Sequence, residues 1–471
     1  MPVVTGVKTH FLGESVFPPP PNAAPHPLFG HAFRTRGLHI LVPTPDVRLD
    51  SCRLLLSAAA AGYPDPVLIG WGGRGLYNGS ESNLFRISET LAYLRTLKKS
   101  ASDDLVVLAD PQAVVFQLPP EVLIRRYFRT IRRKNEKLKK DRIYRRRGSD
   151  GIPVMDSILN FEMAIGTSEC WPQDPEKGMH CQYMPDSTLY HILNQGISAE
   201  PSTDPLADDI YGPAADGPRF LNSGAMIGPV KDLRRLLQAV INTIEAEFNE
   251  MFPYRTSDQH YIATVWARQE QERTHLAANN TKEVSTDDSY EYHVAVDHGS
   301  DLFMLSSWSQ PYTVWMTFNH SVTGTSSATQ RSKHDPTRLD RLTLGSDLTS
   351  LQNPFPNTPR NGSSRQQVTW ADIILGTNTV TGKAFPAYHV TELTETLDAR
   401  WPRMWFQPHG RALLRAQRAR RVAATSKHAH AEAVVAEVRG TRYTTVHAHR
   451  GNRQQEFPCT RLAQCQWWSV E

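Results

Sequence analysis

Five short clusters carry side chains that could do chemistry, each beside an apolar run: Thr44, Asp110, Asn222-Ser223-Gly224, Asp258-Gln259 and His389. A carboxylate and an imidazole, Asp110 and His389, can together bind a divalent cation, with water or a diphosphate filling the remaining positions. The Asn-Ser-Gly triplet, read as a turn, offers an amide, a hydroxyl and a close backbone approach, which suits a sugar ring. Each cluster also has a bland reading. Asp110 can simply cap a turn, and His389, in an apolar segment, can be a packed core histidine.

The elements that must position these groups follow from the apolar pattern. Residues 37–44, 66–71 and 105–110 are short apolar runs ending in turn residues, the form of buried strands. Between them lie an Ala-rich helix over 50–61, with Asp50 as N-cap and Gly62 as stop, and an amphipathic helix over 81–99. Strand–helix–strand–helix–strand predicts an α/β domain with a mostly parallel sheet flanked by helices. Asp110 then stands at the C-terminal end of a buried strand, facing the crevice where open α/β sheets bind ligands. A second short strand over 114–116 and a Pro-Pro-Glu helix start at 119–121 follow it. Further on, 219–228 reads as strand mixed with a glycine turn. Helices are expected over 230–249 and from Ser257 or Asp258, and ordered segments over 294–305, 314–318, 368–378 and 385–390.

Some stretches resist this pattern. Residues 1–36 are Pro-rich, 321–366 are polar and expected as an exposed loop, and 409–471 turn to Arg, Ala and His, which predicts an unfolded tail. The run 125–147 is densely basic with interleaved aromatics. It is either a nucleic-acid-binding helix or a solvated helix whose Leu123, Ile124, Tyr127, Phe128 and Ile131 pack inward. The net charge of +4 is modest and does not by itself indicate a nucleic-acid binder. The five cysteines lack any Cys-x-x-Cys spacing, and Cys170 and Cys181 are either a local disulfide or two free thiols. No apolar stretch of about 18 residues predicts a membrane span, and no signal peptide is visible at the N-terminus. Sequons stand at Asn78, Asn279, Asn319 and Asn361.

Taken in order, residues 37–44, 104–127, Cys170-Trp-Pro172, Phe220-Leu-Asn-Ser-Gly224, Ser257-Asp-Gln259, Asp297-His298 with Leu302-Phe303, and His389 resemble the glycosyltransferase domain of procollagen lysyl hydroxylase/glucosyltransferases. Fungal relatives of that family are more similar still, through Phe116-Gln-Leu-Pro-Pro-Glu121 and Trp401-Pro-Arg-Met-Trp405. The resemblance spans about 37–408. It implies a GT-A, Rossmann-like nucleotide-sugar fold, a UDP-sugar donor, a protein or glycan hydroxyl as acceptor, and a place in the Golgi or ER lumen. It implies Mn²⁺ bridging the donor diphosphate, where a hard cation neutralises leaving-group charge. By the match, Val42 and Thr44 would line the nucleoside, and Asp110 and His389 would hold the metal. Trp171, Asn222, Ser223, Gly224, Asp258 and Gln259 would surround the transferred sugar and the acceptor.

Two departures stand out. The family's Asp-x-x-Asp is Asp110-Pro-Gln-Ala113 here, so the second carboxylate is missing and Gln112 replaces an aromatic. The Gly and Lys expected after the C-terminal His are replaced by His389-Val-Thr-Glu-Leu-Thr-Glu395. Losing a carboxylate that would touch the ion predicts weak cation binding. The resulting expectation is an enzyme weakened or freed from metal, or a non-catalytic binding protein on the same fold.

Overall fold

The computed structural model describes residues 37–46, 48–70, 83–140, 145–147, 153–155, 163–168, 220–278, 290–306, 313–319, 342–352, 354–355, 368–391, 397–398, 400–410, 413, 445–450 and 453–458. The parallel unit expected from the sequence is present. Strand β1 (Leu38–Pro43) lies between β2 (Val67–Ile69) and β3 (Leu105–Ala109), parallel to both, with Leu41 opposite Val67 and Ile40 opposite Val107. The connections are helices α1 (Leu49–Ala61) and α2 (Phe85–Thr96). Gly62 ends α1 in the left-handed conformation at φ +87°, the geometry that a glycine stop supplies. Asp50 is not the N-cap, because the helix begins at Leu49. Its carboxylate accepts from Arg53 within the first turn, where negative charge suits the helix dipole.

Beyond β3 come β4 (Val114–Phe116) and helix α3 (Pro120–Lys140), then a small antiparallel pair, β5 (Arg145–Arg147) with β6 (Pro153–Met155). Strand β7 (Met163–Ser168) runs antiparallel to β8 (Phe220–Pro229), which runs antiparallel to β3. Helices α4 (Val230–Glu247) and α5 (Asp258–Ala278) lead to β9 (Val294–Val296), parallel to β7. Ser257 precedes α5 and its Oγ accepts from the His260 N–H at 3.3 Å, so of the two caps expected, Ser257 or Asp258, it is the serine. A second sheet combines β10 (Phe303–Leu305), β14 (Ala387–His389) and β4. A third combines β11 (Thr313–Met316), β12 (Leu375–Asn378) and β13 (Lys383–Ala384).

The period of two along the central strands sorts their side chains into two layers. Ile40, Val42, Val107 and Ile227 face α1 and α3. Leu41, Val106, Leu108 and Met226 face α2, α4 and α5. Leu123, Tyr127 and Ile131 of α3 enter the first layer, with Ile124 and Phe128 packed against it, so this basic helix turns its aromatics inward. Arg126 is buried and grips Asp347, and Arg129 reaches the same carboxylate.

Three expectations need correction. Residues 321–366 are not wholly exposed loop: 346–349 form a short helix that buries Leu348 and presents Asp347 to α3. The tail is not wholly unfolded either. Strands β15 (Thr445–Arg450) and β16 (Arg453–Pro458) form a hairpin, and β15 adds in parallel to the otherwise open edge of β2. The free backbone of that edge overrides the tail's weak apolar pattern. The sheet therefore reads β16-β15-β2-β1-β3-β8-β7-β9. Finally, 222–224 is not a turn. It lies inside β8, where the pairing with β7 jumps from Ile165 opposite Met226 to Gly166 opposite Asn222. The surplus residues of β8 form a bulge, the device by which a strand re-aims its side chains. Among the described residues no helix is long and apolar enough to cross a membrane.

Candidate functional site

Asp110 follows directly on β3, and Thr44 on its neighbour β1, so both stand at the C-terminal edge of the parallel strands. The Asp110 N–H donates to the Gly224 carbonyl at 2.8 Å, joining this edge to the β8 bulge. Asp110 Oδ1 accepts from the Gln112 N–H at 2.8 Å, which closes the turn into β4.

Strand β4 brings in His389. Its partner β14 places His389 opposite Val114, and the Val390 N–H donates to the Ala113 carbonyl at 2.8 Å. The imidazole lies directly over Gly224: a Cβ at that position would fall 2.3 Å from Cε1 and 2.5 Å from Nε2. Only a glycine allows this approach. The ring is 4% exposed, and burial pushes its pKa down to about 4, with Asp110 opposing and Arg86 reinforcing the shift. At neutral pH it is uncharged, and its ring makes no hydrogen bond among the described residues.

The bulge also meets the start of α5. The Asn222 Oδ1 accepts from the Gly224 N–H at 2.9 Å, and Gln259 Oε1 accepts from the Ser223 N–H at 3.4 Å. Asp258 is buried. Burial raises its pKa, and Arg86, the Gln259 N–H and Ser223 pull the other way.

The residue that ties the cluster together is one the sequence reading passed over. Arg86, in the first turn of α2, is 6% exposed, and its Nη1 stands 3.2 Å from Asp110 Oδ2 and 3.1 Å from Asp258 Oδ2. Burial opposes its charge, but the two carboxylates outweigh burial and hold its pKa above the ordinary value. Its Nε and Nη2 are buried without a hydrogen-bond partner among the described residues. No signal for it stood in the sequence, because a helix expected over 81–99 puts Arg86 in the second turn, and only the start at Phe85 brings it into the first.

Asp297, Gln117 and Trp405 support this arrangement from behind. Asp297 accepts the N–H groups of Asp301, Leu302 and Phe303 at 3.1, 2.8 and 3.2 Å, which orders the entry to β10, the strand beside the one that carries His389. Buried Gln117 donates to the Gly376 and Phe385 carbonyls at 3.0 and 2.8 Å and accepts from the Gly376 N–H at 2.6 Å. The Trp405 Nε1–H donates to the Gln117 carbonyl at 2.8 Å, so the two motifs around Gln117 and Trp405 are halves of one joint.

Asp110, Asn222, Ser223, Gly224, Asp258, Gln259 and His389 thus converge. Thr44 shares their edge of the sheet, with its N–H donating to the Ile69 carbonyl at 2.8 Å. Val42 does not line the site with its side chain, which is fully buried in the core because alternation along β1 turns it toward α1. Trp171, Cys170 and Cys181, together with Glu392 and Glu395, lie outside the described residues. Cys52 of α1 is disulfide-bonded.

The donor set does not fit a divalent cation well. Ala113 supplies no carboxylate, and both Asp110 oxygens are engaged, one by a backbone N–H and one by Arg86. Among the described residues, no group of three or more His, Cys, Asp or Glu side chains is placed to hold a metal. Comparison with models of known protein families and with curated proteins finds no match.

Proposed function

We propose that this chain is a GT-A-type protein that binds a UDP-sugar and transfers the sugar to a hydroxyl of a protein or glycan acceptor. The observation that supports the reading is the convergence of Asp110, Gly224, Asp258, Gln259 and His389, drawn from four separate segments, at the C-terminal edge of a mostly parallel sheet. That edge is where open α/β sheets take their ligands. The bulge at 222–224 brings amide, hydroxyl and bare backbone to one point, a set that suits the hydroxyls of a sugar ring. In the reaction the anomeric carbon–oxygen bond to the diphosphate breaks, the acceptor oxygen bonds to that carbon, and the acceptor proton leaves. The disulfide at Cys52 is in keeping with an oxidising, secretory compartment.

A second reading, a non-catalytic sugar-nucleotide-binding protein on the same fold, is favoured by one specific observation. Asp110 is held by Arg86 and is not free to act. Calorimetric titration with UDP, paired with an assay of UDP-sugar hydrolysis and transfer, separates the two. Binding with turnover supports transfer, and binding without turnover supports the second reading. A folded protein that neither binds UDP nor turns over any common UDP-sugar refutes both.

A further inference from the structure

We infer that Arg86 is the resident cation of this site, a guanidinium standing where related sites would take a divalent metal, and that the site therefore refuses such metals. The inference builds on the nucleotide-sugar reading, yet it rests on the cluster's own geometry. A single nitrogen, Arg86 Nη1, lies within 3.2 Å of one oxygen from each of two carboxylates, Asp110 and Asp258. That bridging place is the one a metal ion takes between two acids. Asp110 Oδ1 is already committed to the Gln112 N–H and Asp258 Oδ1 to the Gln259 N–H, so neither acid turns its second oxygen freely toward an ion.

Charge counting leads to the same conclusion. With both acids ionised, the guanidinium leaves the cluster at a net charge of −1 beside a neutral imidazole. Without it, the two carboxylates would stand at −2 beside the neutral imidazole, and ligand charge is what draws a divalent ion. An entering metal must therefore displace a buried cation already held by two carboxylates. Ala113 fits this account, since a further acid beside a resident guanidinium would gain no metal. The remaining N–H groups on Nε and Nη2 are buried and have no hydrogen-bond partner among the described residues.

The test is a Mn²⁺ titration followed by electron paramagnetic resonance of the free ion, on the wild-type chain, Arg86→Gln and Arg86→Lys, with circular dichroism to confirm folding. Wild type and Arg86→Lys are expected to show no saturable binding below millimolar Mn²⁺. Arg86→Gln is expected to bind at least about tenfold more tightly, because ligand charge sets divalent affinity. Equal binding by wild type and Arg86→Gln overturns the inference, as does a folded Arg86→Gln that gains nothing. If Arg86→Gln does not fold, Ala113→Asp decides the matter: with Arg86 in place it should gain little, and a tight site in that variant alone shows that the guanidinium was no obstacle. UDP titrated in Mn²⁺ and in chelator should give the same affinity, and a rise of more than tenfold with Mn²⁺ overturns the inference. Absence of UDP binding in both buffers refutes the nucleotide reading alone, and the Mn²⁺ comparison still judges Arg86.

Discussion

The contact between Gly224 and His389 invites a double-mutant cycle. A Cβ on residue 224 would come within 2.3 Å of the imidazole Cε1 and 2.5 Å of Nε2. Carbon atoms in ordinary contact stand about 3.5–4.0 Å apart, so the ring would have to retreat by about 1 Å or more. It has little room, being nearly fully buried on a strand paired on both sides. Overpacking of this kind costs about 1–3 kcal/mol. Gly224 does not have a positive φ, so backbone strain adds nothing, and the gain from replacing a strand glycine by alanine, about 0.5–1 kcal/mol, works in the opposite direction. Gly224→Ala should therefore lower the urea midpoint in the wild-type background. In a His389→Ala background the same change should cost much less, because the ring has gone and only Asn222 Oδ1, 3.2 Å from the added Cβ, still crowds it. The two effects should differ by about 1–3 kcal/mol, the size of coupling expected between residues in contact. Equal costs in both backgrounds would mean that the imidazole does not lie over the bulge, and the site as described would be wrong.

His389 also predicts a pH dependence. Its folded pKa, about 4, lies below the ordinary 6.5, so the unfolded chain takes up this proton first as pH falls. Its contribution is complete above about pH 6.5 and is lost on going down toward 4, by up to about 3 kcal/mol; His389→Gln should flatten denaturation midpoints across that range. Gln117→Ala strips three hydrogen bonds from buried backbone groups of residues 376 and 385. A loss of about 3 kcal/mol is expected in chemical denaturation, and a loss under about 1 kcal/mol would show that the joint relaxes. Asp347→Asn removes the charge facing buried Arg126 and should cost about 3 kcal/mol. In the native chain Arg126 and Arg129 outweigh burial and hold the Asp347 carboxyl below its usual range. That stability is present above pH 4 or so and fades as pH drops further, which a thermal melt series on wild type and variant would reveal.

Sequence alone carried the local features. Apolar runs of strand length, a glycine stop at Gly62, a serine cap at Ser257 and prolines opening α3 fix what each segment does with its own backbone, and the structure follows them. The strand-end position of Asp110 was legible for the same reason. Tertiary structure decided what lies beside what. His389 reaches Asp110 only because β14 pairs with β4, and Arg86 is meaningful only once two distant carboxylates close on it. Asn222-Ser223-Gly224 looked like a turn because glycine and small polar residues favour turns, but strand pairing on both sides of β8 made it a bulge. Periodicity and capping report on a segment's neighbours in the chain. Buried charges and unpaired strand edges are settled across space, because each must find a partner wherever the fold supplies one.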